Sequence, residues 1–509
     1  MPLNTPIQSV DLKGWSGGLN READPFLLEV TESPHALNVD FGLRGEVSKR
    51  KGYTKHTTDD STASAGAFLY GWTKLGGSDF FIYTDLEGDV FYASGTTLTS
   101  AAIAFGAHSS ERTFDIAHAS MNDRLYLSTN RTGALPHKFD GSAWTALTVT
   151  NFDGTANRFP RARVLVQAHE RMFAFNVTDG NGTAFRSRMH WSDPLLPETW
   201  AALDFIDFAP DDGQEITGAA LFGEQIIVFK NHSMFSLSGT DENSFTVYPI
   251  DTAVGTECPG TIVPAGPELL FFDHLTGVWS FDGTSYKKVD DKINRYLLDG
   301  VNAEYAYLSH AFAYRGRYYL CVPWDTSQVP NRTFVFDARL GAWTEYTFGW
   351  RGSAVKDALM YASAPAAATG IFKMWLVDAD AGSNISAVFE TGWLSPEEPS
   401  FRYRLRRLDL AFSAFGNYNV TVEMRRDFTQ DAYISQVVNT SPGGALFDFA
   451  DFDFDDFGSG QAQVLSRTTG WGERWRTCKF VFSEATANPF QINRMVMQVS
   501  KLGRLRGEP

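Results

Sequence analysis

The chain reads as an all-β protein: a β-propeller of about six or seven blades, with an irregular N-terminal arm and a C-terminal β-sandwich. Three observations predict this. Aromatic residues make up 14% of the 509 residues, with 41 Phe and 13 Trp beside 44 Gly and 21 Pro. That balance favours short strands and tight turns over long helices. Short apolar runs broken by turn residues recur from about residue 65 to residue 387. A tail of Phe, Asp, then Gly and an aromatic returns at Phe139, Phe281 and Phe336. The interval from the first to the second holds three units of roughly 47 residues, and the next interval is one unit of roughly 55, near the pitch of a propeller blade. A pair of sandwiches is the architectural alternative.

Residues 1–60 form the arm. Gly17-Gly18-Leu19-Asn20 gives a bend, and Ser33-Pro34 supplies the N-cap and first position of a short helix from His35 to about Asp40. Lys49-Arg50-Lys51 reads as a solvated basic turn.

Residues 61–389 carry the strands. Ala67–Trp72, Phe80–Thr84 and Val90–Ala93 make one set; Thr113–Ala119, Arg124–Ser128 and His137–Asp140 make another. Val164–His169 and Arg171–Asn176 lead to Met189-His190-Trp191, which stops at Ser192-Asp193-Pro194 because proline cannot donate to a ladder. A polar excursion reaches Trp200. Glu215–Leu221, Gln225–Lys230 and Ser233–Leu237 then follow, separated by tight-turn sequences, as most of one antiparallel blade. Gly260–Val263, Glu268–Asp273 and Gly277–Asp282 repeat the pattern, as do Ser309–Tyr314, Arg317–Pro323 and Arg332–Asp337. One helix, Asp290–Leu298, places Ile293, Tyr296 and Leu297 on a single face.

Residues 390–509 change style. In Phe401–Arg406 the period of two puts Phe401, Tyr403 and Leu405 on one face and Arg402, Arg404 and Arg406 on the other. A second strand begins at Arg407, and Val420–Arg425, Arg476–Ser483 and Arg494–Ser500 complete a sandwich. Between them Leu446–Gly458 alternates Phe and Asp. Asp451, Asp453 and Asp455 have the spacing of a calcium loop's start, but Asp456 stands where its glycine belongs and Ala462 where its bidentate Glu belongs. Phe447, Phe449, Phe452 and Phe454 instead read as a packing face, and with the three arginines they form a candidate subunit interface.

Net charge is −16 and pI about 5.1. Tight grip on nucleic acid needs a basic surface, so this balance argues against a protein that holds DNA tightly but not against one that DNA slides past; on charge alone the plainer reading is a soluble acidic protein. The N-terminus lacks a basic region followed by an apolar one, and Cys258, Cys321 and Cys478 form no metal knuckle or paired framework. The expectation is a reduced chain made in cytoplasm. No apolar run approaches the roughly 18 residues that span a bilayer. HExxH, GxSxG, phosphate-loop and dinucleotide motifs are missing, and Ser192-Asp193…Trp200 lacks the spacing of a sialidase box. No catalytic, cofactor or metal residues are expected.

Several stretches taken together resemble a known family. Gly17-Gly18-Leu19-Asn20, Pro34-His35-Ala36-Leu37-Asn38 and Arg50-Lys51-Gly52-Tyr53 are similar to the opening of bacteriophage tail β-propeller proteins. Trp191-Ser192-Asp193-Pro194 through Trp200, Glu215-Ile216-Thr217-Gly218, Val228-Phe229-Lys230 and Phe235–Gly239 continue the likeness. Gly277–Gly283 and Thr391-Gly392-Trp393 complete it. The order of these motifs resembles the nozzle, or packaged-DNA-stabilising hub, proteins of short-tailed phages. The resemblance implies a structural virion protein of the phage tail, assembled in host cytoplasm. Six copies would ring the tail below the head-to-tail adaptor, retain the genome, conduct it at ejection, and carry fibres, a spike or a needle. The alternative is a host-recognition propeller that binds or cleaves surface glycans.

Overall fold

The structure is a computed structural model that describes residues 7–12, 14–24, 27–58, 63–106, 116–363, 369–396, 401–413, 418–440, 463–468 and 474–504. It is almost entirely β. Seven antiparallel four-strand units follow one another along the chain; five are complete sheets and the last two are parts of larger ones. The first runs from Gly66–Thr73 to Thr99–Ala104, the second from Ala117–Met121 to Trp144–Ala146, and the third from Arg161–Ala168 to Phe205–Asp207. The fourth runs from Ile216–Phe222 to Thr246–Asp251, the fifth from Val263–Ala265 to Tyr286–Lys288, and the sixth from His310–Tyr314 to Ala342–Tyr346. The seventh joins Ser353–Lys356, Leu359–Ser363 and Ile371–Val377 to Gly52–Lys55 of the arm, with Tyr53 opposite Met374.

The second strand of each unit explains why the units stack. Successive side chains of a strand point to opposite faces. In Gln225–Lys230, Ile226 and Val228 pack with Phe173 and Phe175 of the third unit, while Ile227 and Phe229 pack with Leu269 and Phe271 of the fifth. Phe80 and Ile82 face the second unit. Phe81 and Tyr83 face Tyr361 and Ile371 of the seventh. Burial on both faces requires the continuous apolar runs seen in the sequence, and each such side chain contributes about 1.5–3 kcal/mol. Because the seventh unit packs on the first, the series closes on itself.

The recurring Phe-Asp tail ends the third strand of the second, fifth and sixth units. Its aspartate accepts backbone N–H groups of the following turn: Ser142 and Ala143 at 2.8 Å for Asp140, Thr284 at 2.8 Å and Ser285 at 2.7 Å for Asp282. Arg339 donates to Asp337 in the same way. The repeat is thus turn chemistry, the local mimicry for which aspartate is favoured.

The arm departs from expectation. The helix predicted at His35 is absent: His35–Leu37 and Val39–Phe41 are strands, separated by Asn38 at φ 55°. Ser33 Oγ accepts from His35 N but donates to Glu390 O at 2.7 Å, so it anchors the arm to a partner strand instead of capping a helix. Ala36 then pairs with Phe389. The basic turn is also a correction. Lys49 and Arg50 are buried: Lys49 pairs with Glu484, and Arg50 forks onto Asp380 at 2.8 and 2.6 Å. Only Lys51, bonded to Asp378, remains exposed.

The C-terminal strands form two facing sheets. One extends the sixth unit through His35–Leu37, Ala387–Glu390, Cys478–Glu484, Asn419–Arg426 and Ile434–Asn439. The other is built on Phe401–Ser413 and Gln491–Arg504, flanked by Ile7–Leu12, Val47–Lys49 and Arg474–Trp475 among others. Val422, Phe480 and Phe482 of one share a core with Leu408, Leu410, Met495 and Met497 of the other. Phe401–Ser413 is one strand, not two. Its register shifts between Leu405 and Arg407, a bulge that moves the buried set from Tyr403 and Leu405 to Leu408 and Leu410.

The helix spans Asn294–Gly300 and starts later than predicted. Asp290 instead accepts from Val278 N at 3.0 Å and Asn294 Nδ2 at 2.7 Å.

Candidate functional site

A cavity of about 660 Å³ opens at one end of the two-sheet body. It is lined by Arg402, Arg404, Arg426, Asp427, Thr429, Arg474, Trp475 and Arg476. Three segments supply the five arginines. Arg402 and Arg404 come from Phe401–Ser413, where alternation turns them away from the buried Tyr403 and Leu405. Arg474 and Arg476 lie on the chain that crosses from one sheet to the other, with Arg404 directly opposite Arg474 and Tyr403 opposite Trp475. Arg426 ends a strand of the facing sheet.

Trp475 also lines the cavity; it is buried, and its ring lies 5.6 Å from that of Tyr403. Asp427 is the single carboxylate of the lining. Its Oδ1 accepts from Arg476 N at 2.8 Å and Thr477 N at 3.3 Å, so it holds the crossing segment in place. Asp427 and Phe428 both have positive φ, 48° and 64°, and turn the chain sharply at the strand end.

Of the predicted interface residues, the structure brings Arg402 and Arg404 together and sets Arg406 apart. Arg406 sits at the bulge, is exposed, and donates through Nε to Ser500 Oγ at 2.6 Å. Phe447, Phe449, Phe452 and Phe454 lie outside the described residues, as do Asp451, Asp453 and Asp455. Sequence reasoning missed Arg426, Arg474 and Arg476. The signal was present in Arg425-Arg426 and in the alternation Arg474-Trp475-Arg476, but only the chain crossing joins them.

A second cavity, about 490 Å³, lies where the first strands of all seven units converge. Ala67, His118, Arg163, Ala219, Val263, His310 and Ser353 each represent one unit in its wall. Arg163 is neutralised by Glu215 at 2.8 Å. Burial holds both His118 and His310 near pKa 4. They are therefore neutral at pH 7, with His118 against the Tyr70 ring at 4.1 Å and His310 Nε2 at 2.9 Å from Ser353 Oγ. The described lining contains no carboxylate. A cavity this size suits a small molecule and is far too small for a DNA duplex.

The three cysteines are buried and free, and burial raises each thiol's pKa. Among the described residues no helix is long and apolar enough to cross a membrane.

No family model and no curated protein matches the chain. Among solved structures, it is similar at 10% identity and TM-score 0.37 to PorZ, an essential bacterial surface component of the type-IX secretion system of Porphyromonas gingivalis. That match covers 69% of this chain, which spans only 44% of the PorZ chain. The computationally designed Ika8 protein matches at 9% identity and TM-score 0.37, over 64% of this chain and all of that one. Likeness at this distance carries no argument about either architecture or activity.

Proposed function

We propose that the seven four-strand units are the blades of a seven-bladed β-propeller, and that the chain is a structural protein of a bacteriophage tail. Six copies form a nozzle or hub ring below the head-to-tail adaptor, retain packaged DNA and conduct it at ejection, with fibres, a spike or a needle attached below. The observation that carries this reading is the placement of the motifs that resemble the phage family. Gly52-Tyr53 stands at the closing strand, Gly277–Gly283 in the third strand of its unit and the turn beyond, and Thr391-Gly392 beside the junction with the C-terminal body. Resembling residues are therefore spread across the fold rather than gathered in one local patch.

In this reading DNA passes between subunits, because the cavity inside one subunit is too small. A net charge of −16 suits a wall that repels phosphate and lets it slide. The contact between copies is assigned to the exposed Arg406 rather than to the recessed Arg402 and Arg404. The alternative, a glycan-cleaving propeller, calls for two carboxylates about 5–10 Å apart in a central funnel, and the described lining of the axial cavity supplies none.

Negative-stain imaging of the purified chain, alone and with its adaptor, tests the proposal. Six-fold rings with an open centre are expected. Monomeric discs that persist with adaptor present would overturn it, and retention of the monomer on a glycan array would favour the alternative.

A further inference from the structure

We infer that the arginine cleft is a binding site for clustered phosphate groups, such as a linked di- or triphosphate. Elsewhere in the chain, many arginines meet carboxylates: Arg50 meets Asp380, Arg188 meets Asp207, Arg317 meets Asp40 and Asp337, and Arg494 meets Asp11. In the cleft, Arg404 and Arg474 stand directly opposite each other across a ladder, an arrangement of like charges that destabilises a sheet. Among the described residues, Arg402, Arg404, Arg474 and Arg476 form no ion pair, and the Arg404 Nε is buried without an acceptor. Among the described residues, Asp427 is the one carboxylate that lines the cleft, and two backbone N–H groups already engage it. A multivalent anion resolves the repulsion and supplies the missing acceptors.

The geometry selects the class of anion. Residues two apart on a strand are about 7 Å apart, and directly opposed residues are about 4.5–5.5 Å apart. Arg402, Arg404 and Arg474 therefore spring from backbone positions within a patch of that size, and Arg476 and Arg426 line the same cavity. A cavity of about 660 Å³ belongs to compact ligands rather than to a groove along which a polymer runs. Guanidinium forks match the oxygens of phosphate two at a time, which explains arginine at all five positions where lysine would supply charge alone. Several charges in one small body are what linked phosphates offer. The source is either a free polyphosphate, including a nucleotide tail, or the end of a nucleic-acid backbone. This inference does not rest on the ring proposal, since the cleft belongs to a single chain.

The test is titration calorimetry of the full-length chain with sodium tripolyphosphate, a ten-residue oligothymidylate, and an aspartate-rich peptide, with sodium chloride at matched ionic strength as control. Tripolyphosphate is expected to bind and to raise the thermal midpoint. Removing two charge-assisted contacts in R404Q/R474Q should weaken binding by about tenfold or more. The same variant without ligand should melt no lower than the parent, because it loses the opposed charges, and that melt verifies its folding. R476Q, away from the opposed pair, gives an independent second variant. Tighter binding of the oligonucleotide would assign the phosphates to a nucleic acid, and weaker binding to a free ligand. No binding of tripolyphosphate beyond the chloride control would overturn the inference. So would undiminished binding by both variants, or binding of the acidic peptide alone, which would make the cleft a protein-docking surface.

Discussion

Tyr53 lies opposite Met374 in an antiparallel ladder and meets Phe348, Trp350 and Phe372 edge-on, at centroid distances of 5.8, 5.8 and 5.5 Å. A residue from the arm thereby fills the gap between the sixth and seventh units and completes the closed series. Tyr53→Ala should cost about 3–5 kcal/mol, the range for a large aromatic removed from a packed core. Urea unfolding followed by circular dichroism reads this as a lower midpoint. An unchanged midpoint would mean that the seam adds nothing to cooperative stability.

Lys230 makes a second, smaller joint. Its buried ammonium donates to Phe208 O, Ala209 O and both oxygens of Asp212, at 2.6 to 3.0 Å. This fastens the loop after the third unit onto the fourth. Lys230→Ala leaves two carbonyls and a carboxylate without their donor, at a cost of about 3 kcal/mol. Hydrogen exchange should show loss of protection centred on residues 208–215; uniform loss throughout the chain would contradict a local clasp.

Acid should loosen the C-terminal body first. Burial alone would raise the pKa of Glu390, but hydrogen bonds from His35 and Lys479, the latter at 2.7 Å, outweigh it and hold the group at about 2. A carboxylate with a depressed folded pKa stabilises the fold above its unfolded value of about 4.5 and loses that contribution as pH falls toward 2. The group is worth about 3 kcal/mol at neutral pH. Thermal midpoints measured from pH 6 to pH 2.5 should fall less steeply in E390Q than in the parent. Equal slopes would remove Glu390 as the cause.

If copies meet at the exposed Arg406, reversing its charge should prevent ring or particle assembly and leave the monomer's melting temperature within about 0.5 kcal/mol equivalent of the parent, as expected of a surface change. Size-exclusion chromatography with light scattering, with the adaptor present, distinguishes the two states. Normal assembly of R406E would dissociate Arg406 from the contact.

Much of the architecture was legible because the inner strands carry it. Ile226–Phe229 and Leu269–Phe272 are buried on both faces, so their sequences are unbroken apolar runs. The outer strands escaped notice for the opposite reason. Thr99–Ala104 and Tyr286–Lys288 are largely exposed or half-buried and hold no alternating large apolar residues, so periodicity has little to report. The arm misled because Ser33-Pro34 is equally a helix start and a turn, and only Phe389, far along the chain, decides for a strand. Lys49-Arg50 looked solvated because Asp380 and Glu484 are equally remote in sequence. The cleft was half legible: alternation around Tyr403 exposed Arg402 and Arg404, while their register against Arg474 is a tertiary fact.

The pairing of Tyr53 with Met374 also constrains the order of events during synthesis. The strand that completes the last unit leaves the ribosome before any unit exists, and its partner emerges after the other six. Contacts so distant in sequence are slow to form, and an unpaired strand waiting for its place is exposed to wrong partners. The nascent arm must therefore stay free of its neighbours until translation is well advanced. Closure becomes a late event, and the early units must hold together as an open series without it.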